Sequence, residues 1–161
     1  MPRMDREEAR RRFTAARVAR LATVDAAGRP RLVPVVFAVG GADRIVTAVD
    51  HKPKSTTRLR RLSDIAVHPS VCLLADAYGE DWAGLWWVRA DGTARVLPPG
   101  DADAVACRDR REALALLGDK YPQYAGRPPQ GPVVTITVRR WTGWCAAPPP
   151  PERPDAPDRG P

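Results

Sequence analysis

The sequence is poor in the residues that build metal centres and hydrolytic active sites. It contains two histidines and three widely spaced cysteines, Cys72, Cys107 and Cys145. It has no Cys-x-x-Cys pair, no His-x-x-Glu spacing and no Gly-x-Ser-x-Gly motif. These absences argue against structural zinc sites, disulfide frameworks and catalytic triads. The odd cysteine count instead predicts reduced, mostly packed thiols in a cytoplasmic protein.

Long apolar runs and nucleotide-binding glycine motifs are missing as well. The first residues, MPRMDREEARRRF, carry charges where a signal peptide needs an apolar segment, and no run approaches the roughly 18 apolar residues of a membrane span. Neither Gly-x-Gly-x-x-Gly nor Gly-x-x-x-x-Gly-Lys-[Ser/Thr] occurs, which disfavours Rossmann and P-loop sites. We therefore expect no membrane association, and we expect a bound cofactor to supply any chemistry.

Positive charge is abundant. The chain has 26 Lys and Arg against 19 Asp and Glu, a formal net charge of +7 that favours an anionic partner. No nucleic-acid-binding motif is present, and the cations divide between the N-terminal helix and one internal stretch, so we expect no nucleic-acid partner. The internal stretch is AVDHKPKSTTRLRRLSDIAVHPSVCLL, residues 48–74, with the cations Lys52, Lys54, Arg58, Arg60 and Arg61.

This basic stretch combines several features of anion sites. Lys52 and Lys54 precede a predicted helix that Ser55 or Thr56 can cap, and a helix N-terminus adds backbone N–H groups and a positive dipole end. A phosphate bound here would meet two lysines, a hydroxyl and a helix end. An exposed, solvated helix would carry the same charges, so the pattern alone leaves both interpretations open.

The pattern of the whole chain predicts one mainly β domain over residues 1–146 and a disordered Pro-rich tail over residues 147–161. Besides the helix of the basic stretch, two helices are expected, one over residues 5–17 and one capped by Asp101 that stops near Gly118. Alternating apolar residues and turn signals predict about six to seven antiparallel strands, enough for a small barrel. The predicted strands span residues 18–25, 30–39, 44–49, 71–77, 83–97 (one bent strand or two) and 133–146. The first three are expected to form an antiparallel meander.

Two features of these strands suggest contacts beyond one sheet. The second strand is almost continuously apolar from Leu32 to Val39, which predicts burial of one face against the core and of the other against a second subunit. Pro34 in that strand cannot donate to a ladder, so it indicates an edge, a bulge or a backbone approached by something other than a strand. Trp86 and Trp87 must point to opposite faces, and we expect one to pack across a subunit boundary.

The order of the segments RLATVDAAGRPRLVPVVF, RIVTAVDHKPKSTTRLRRLSDIAVHPSVCLL and VRADGTARVL, between an N-terminal helix and a closing strand, resembles a known superfamily. It is similar to the flavin- and deazaflavin-binding split β-barrels that include pyridoxamine 5'-phosphate oxidase, the Greek-key-like FMN-binding split barrel. Within it the chain looks most like the small actinobacterial PPOX-class oxidoreductases that depend on coenzyme F420. The resemblance covers residues 5–146.

The resemblance implies a homodimer with the cofactor at the subunit interface. It also implies hydride transfer between the deazaflavin and an unsaturated small-molecule substrate. The second and third strands would line the ring, and the basic loop and helix would hold the phosphate. The cofactor-binding residues implied by position are Leu32, Val33, Pro34, Val35, Thr47, Lys52, Lys54, Ser55, Thr56 and Arg58.

The choice of cofactor and the catalytic residues stay open at this point. F420 is preferred because its longer anionic tail would give Arg58, Arg60 and Arg61 a partner. The alternatives are an FMN-dependent enzyme like pyridoxamine 5'-phosphate oxidase, and a non-catalytic protein that binds flavin, F420 or heme. No catalytic acid or base is identified. The three tyrosines, Tyr78, Tyr121 and Tyr124, are proton donors by chemical type alone.

Overall fold

The structure is a computed structural model that describes residues 3–49 and 56–147, and for residues 56–59 it describes the backbone alone. The helices are α1 (Arg6–Ala15), α2 (Thr56–Val67), α3 (Ala104–Lys120) and α4 (Pro122–Gly126). The strands are β1 (Ala19–Val24), β2 (Pro30–Val35), β3 (Ala38–Gly40), β4 (Arg44–Ala48), β5 (Ser70–Ala77), β6 (Trp86–Leu97) and β7 (Val133–Cys145). The prediction of a mainly β domain with flanking helices is confirmed. The Pro-rich tail lies outside the described residues from residue 148 onward.

All seven strands form one antiparallel sheet in the order β2-β1-β5-β6-β7-β4-β3. The two antiparallel pairings of the predicted meander are confirmed, because β1 pairs with β2 and β3 pairs with β4, but the second strand of the meander is not continuous. The predicted second strand breaks at Val36 and Phe37, and its last part becomes β3 at the opposite end of the sheet. The two halves of that apolar run therefore belong to different edges.

Strand β6 is one long strand with a bulge, and a short 3-10 turn at Trp82–Gly84 precedes it. Its register with β7 shifts between Asp91 and Gly92. The two backbones approach so closely there that a Cβ added to Gly92 would lie 2.5 Å from the carbonyl oxygen of Thr137. Only glycine fits this point, where the sheet bends.

The core has two parts, one enclosed by the curved sheet and one beneath α3. In the first, the fully buried ring of Phe13 from α1 lies 4.7 Å from Phe37 and 5.2 Å from Trp141, between ring centroids. The second lies between α3 and the strands β4 and β7, and its buried residues include Leu117 and Val133. Helices α1 and α3 thus close the two sides of the sheet.

Helix α3 differs from its predicted limits at both ends. Asp103, not Asp101, is the N-cap, because its carboxylate accepts from the N–H of Val105 at 3.1 Å. The helix passes through Gly118 and ends at Lys120. The buried Leu117 and the packed Tyr121 hold this last turn against the core, which outweighs the low helix propensity of glycine.

Strand β2 buries one face in the described chain, not two. Val35 is buried and Val33 packs against the core, whereas Leu32 on the other face is 67% exposed. The sequence predicts that a second subunit buries the other face of β2, and in the single chain that face is exposed, so its burial stays a prediction. Pro34 lies on this edge strand, which agrees with the edge position that was one of the three explanations of this proline. Among the described residues no helix combines the length and apolar character needed to cross a bilayer.

Candidate functional site

A cleft of about 270 Å³ opens beside the C-terminal ends of β2 and β4, next to α2. Most of its lining is aliphatic, and Arg61 is the only charged residue among the described residues that form it. Thr47 and Tyr124 add hydroxyl groups. The lining residues are Val18, Pro34, Val35, Val36, Thr47, Ala48, Val49, Arg61 and Tyr124. An apolar slot with one cation at its wall suits a ligand that has a flat apolar body and an anionic group.

One wall of the cleft forms where the chain leaves β2. Val36 and Phe37 belong to no strand, so their backbone polar groups need other partners. The hydroxyl of the buried Thr47 donates to the carbonyl oxygen of Val36 at 2.7 Å. The N–H of Phe37 donates to the Tyr121 hydroxyl oxygen at 3.1 Å. Side chains from β4 and from the end of α3 thus fix this wall.

Helix α2 is fixed by a buried carboxylate. Asp64 is 5% exposed, and its Oδ2 lies 3.3 Å from the hydroxyl of Thr23 on β1 and 3.2 Å from Nε of Arg31 on β2. Asp64 follows Arg61 by three residues, so the two side chains lie on neighbouring positions of the same helical face. The contacts of Asp64 therefore also hold Arg61 at the cleft.

The three tyrosines have different surroundings. Tyr124 is partly buried and lines the cleft. Burial raises the pKa of Tyr121, whose hydroxyl oxygen lies 2.8 Å from the carbonyl oxygen of Phe37 and 3.0 Å from that of Arg17, either of which can accept its proton. Tyr78 is 63% exposed and lies elsewhere. Among the described residues, Tyr124 is therefore the one tyrosine that lines this cleft.

The structure brings together part of the set of site residues predicted from the sequence. Pro34, Val35 and Thr47 all line the cleft. Leu32 and Val33 do not, because they lie further back along β2, with Leu32 directed outward and Val33 packed on the core. The loop residues Lys52, Lys54 and Ser55 lie outside the described residues, as do the side chains of Thr56 and Arg58.

Sequence reasoning left several lining residues out of the predicted site. Arg61 was expected as a partner for a cofactor tail but was left out of the predicted cofactor-binding residues, although it lies one helical turn after Arg58 in the sequence. Tyr124 lies 77 residues beyond Thr47 in the chain, and no local pattern links the two. Val36, Ala48 and Val49 lie within two residues of the predicted site residues Val35 and Thr47, on strands that the sequence already predicts.

A second cleft, of about 410 Å³, lies on the outer face of β5 and β6. It is lined by Leu74, Asp76, Tyr78, Trp87 and Arg89. Trp86 packs against the core while Trp87 lines this cleft, which confirms that the two rings point to opposite faces. No group of three or more His, Cys, Asp or Glu side chains in the described part of the chain is placed to hold a metal ion.

Comparison with known proteins agrees with this architecture. Residues 5–145 match the family model for pyridoxamine 5'-phosphate oxidase. No curated protein matches the sequence. Similar solved structures include an FAD-binding protein from Mesorhizobium loti, with a TM-score of 0.65 and 20% identity over 88% of this chain and 95% of that one.

Two further solved structures share the fold at low identity. HutZ, the heme storage protein from Vibrio cholerae, has a TM-score of 0.61 and 16% identity over 87% of this chain and 93% of its own. A putative pyridoxamine 5'-phosphate oxidase from Corynebacterium glutamicum has a TM-score of 0.56 and 18% identity over 88% of this chain and 94% of its own. The chain thus belongs to the pyridoxamine 5'-phosphate oxidase family, and its seven-stranded antiparallel sheet with flanking helices is the split barrel that the sequence predicts.

Proposed function

We propose that the protein is an oxidoreductase that binds a flavin-type cofactor in the cleft between β2, β4 and α2, with F420 preferred and FMN as the alternative. The observation that carries the proposal is the cleft itself, an apolar slot with Arg61 at its wall in a chain of the pyridoxamine 5'-phosphate oxidase family. The name of the similar Mesorhizobium loti structure, an FAD-binding protein, supports a flavin-type ligand.

The chemistry of the lining residues fits such a cofactor. Pro34, Val36 and Val49 offer aliphatic surface to a planar ring, and proline offers no N–H that would need a partner. The cleft volume of about 270 Å³ is close to the lower end of ligand pockets, which begin at roughly 300 Å³. A cofactor with an anionic chain would extend beyond it, past Arg61.

Each polar residue of the cleft then has a role. Arg61 pairs with the phosphate or another anionic group of the cofactor. Thr47 gives its proton to Val36, so toward a ligand it acts as a hydrogen-bond acceptor. Tyr124 donates the proton that the substrate takes up when it is reduced. The cofactor supplies the hydride chemistry when bound, while the protein supplies orientation and exclusion of water.

F420 is preferred over FMN because of the charge around the site. A tail that carries several carboxylates would have Arg60 and Arg61 as partners on α2, in addition to the lysines predicted from the sequence for the phosphate. A heme-binding protein is a second candidate, since one similar structure is a heme storage protein. Heme iron needs an axial His, Cys, Met or Tyr, and Tyr124 is the only described lining residue of these types.

We also propose that the protein is a homodimer. The outer face of the sheet carries Leu32 at 67% exposure, Leu74 at 37% and the cleft at Trp87, and apolar groups on one face favour association with a second copy. Light scattering after gel filtration tests this. A mass of one chain at micromolar concentration would contradict it.

The test of function is a titration of the pure protein with F420, FMN, FAD and heme, followed by fluorescence or by the heme absorption band. We expect micromolar or tighter binding of F420 or FMN and reduction of at least one member of a panel of enones and quinones. Binding of heme alone would favour the storage function, and binding of none of the four would refute both.

A further inference from the structure

Tyr121, which does not line the cleft, holds the backbone at the break between β2 and β3. Phe37 is fully buried, and its N–H and C=O both lie within hydrogen-bond distance of the Tyr121 hydroxyl, at 3.1 and 2.8 Å. Tyr121 is the C-cap of α3, 84 residues further along the chain. Buried backbone groups outside regular structure require such partners, so this phenol replaces the missing ladder contacts.

The neighbouring residue Val36 is held by a side chain from β4. The Thr47 hydroxyl donates to the carbonyl oxygen of Val36 at 2.7 Å. Val36 and Thr47 line the cleft, while Phe37 points into the core between Phe13 and Lys120. Two adjacent peptide groups are therefore fixed by side chains from two different elements, and the wall of the cleft is set by both.

The end of α3 also reaches the ring of Phe37 and the end of α1. The ammonium group of Lys120 lies 3.9 Å from the centroid of the Phe37 ring. It donates to the carbonyl oxygens of Thr14 at 3.0 Å and Ala16 at 2.7 Å. These acceptors belong to the last turn and C-cap of α1. Lys120 thus fixes the side chain of the same residue whose backbone Tyr121 holds.

Tyr121 is connected to the opposite wall of the cleft as well. Its ring packs edge-on against Tyr124, with the centroids 6.1 Å apart and the planes at 73°. Tyr124 belongs to α4, and its N–H donates to the carbonyl oxygen of Tyr121 at 2.9 Å. Movement of Tyr121 would therefore displace Val36 on one wall and Tyr124 on the other.

We propose that Tyr121 is a positioning residue for the cofactor cleft, whose hydroxyl sets the distance between the Val36 wall and Tyr124. The inference rests on the proposed function, because it assigns the effect of this phenol to cofactor binding. Tyr121 acts through Phe37 and Tyr124 and makes no contact with the cleft itself. If Tyr121 had a purely structural role, its substitution would lower the stability of the protein, but the folded variant would bind the ligand as tightly as the folded wild type.

The test uses Tyr121→Phe, which removes the hydroxyl and keeps the ring, with Thr137→Val as the control, because Thr137 is exposed and lines neither cleft. Loss of one hydrogen bond predicts a rise of roughly 3- to 10-fold in the dissociation constant of F420 or FMN, measured where both proteins are fully folded. It also predicts that the Phe37 amide exchanges its hydrogen at least several-fold faster in the ligand-free variant. The control should match the wild type in both measurements.

The outcomes separate this inference from the proposed function. If the wild type binds F420 or FMN and Tyr121→Phe binds equally well, or if Phe37 exchange is unchanged, the positioning role is refuted while the function stands. If the wild type binds neither cofactor, both are refuted. Should Tyr121→Phe fail to fold, amide hydrogen exchange in the wild type tests the positioning role instead. Bound FMN should slow exchange at residues 36 and 37, and unchanged exchange would refute the role of this wall.

Discussion

Two adjacent arginines on α2 provide a direct test of the proposed anion contact. Arg61 is partly buried and lines the cleft, whereas Arg60 is exposed. Replacement of either by methionine removes the guanidinium group and keeps an unbranched apolar side chain with good helix propensity. The pair Arg61→Met and Arg60→Met therefore changes the same charge at two points of one helical turn, only one of which faces the cleft.

The expected magnitude follows from the surroundings of Arg61. A hydrogen bond that involves a charged group contributes about 1.5–3 kcal/mol, which corresponds to a roughly 10- to 150-fold change in a dissociation constant. The position of Arg61 at a partly buried wall favours this range over the about 0–1 kcal/mol of an exposed pair. For FMN, which lacks the carboxylate tail of F420, we expect Arg60→Met to change the dissociation constant by about threefold or less at physiological salt.

Comparison of FMN with riboflavin isolates the phosphate contact. Both share the ring, so isothermal titration of the two ligands against wild type, Arg61→Met and Arg60→Met separates ring binding from anion binding. We expect Arg61→Met to lose affinity for FMN and to retain its affinity for riboflavin. An equal loss for both ligands, or an equal effect of the two substitutions, would refute the assignment of Arg61 to the anionic group.

Two further predictions concern the frame of the site. Gly92→Ala should destabilise the protein by about 3 kcal/mol or more, because its Cβ would meet the backbone oxygen of Thr137 at 2.5 Å, and urea unfolding should show no such loss for Gly79→Ala, where nothing lies within 4 Å. Burial and the charge of Arg17 lower the pKa of Lys120 from 10.5 to about 8, so between pH 8 and 10.5 the unfolded chain holds a proton that the folded protein has lost. The unfolding free energy of the wild type should then rise with pH relative to Lys120→Gln across this window, and a constant difference would contradict the lowered pKa.

The sequence predicts the type and number of elements better than their pairing. Alternating apolar residues and turn signals locate most strands, because these signals are local. The position of the break at Val36–Phe37 has little local signal, since the apolar run continues through it and Pro34, two residues earlier, fits an edge as well as a bulge. It depends on Tyr121, 84 residues away, and on Thr47. An unbroken second strand is therefore the natural but wrong prediction for this segment.

Local signals predict part of the candidate site, and contacts between distant segments, which have no local signal, determine the rest. The resemblance to the split barrels gave Pro34, Val35 and Thr47, which lie in the cleft. Arg61 follows from helical spacing once α2 is known to begin at Thr56. Tyr124 enters the cleft because α4 packs on α3 near the end of β2, and such contacts between distant segments have no pattern in one sequence. The roles of Lys52, Lys54, Ser55, Thr56 and Arg58 stay predictions.

The two prolines of β2 determine what can approach the end of the sheet. The hairpin bond from the N–H of Asp25 to the carbonyl oxygen of Arg29 sets the alternation, so the residues of β2 that bond to β1 are Arg31, Val33 and Val35. Pro30, Leu32 and Pro34 therefore direct their backbone groups outward, and only Leu32 among them has an N–H. This edge accepts hydrogen bonds and hardly donates any, so a strand of another molecule cannot extend the sheet there. The protein can leave this apolar border of its cleft uncovered without polymerising through it.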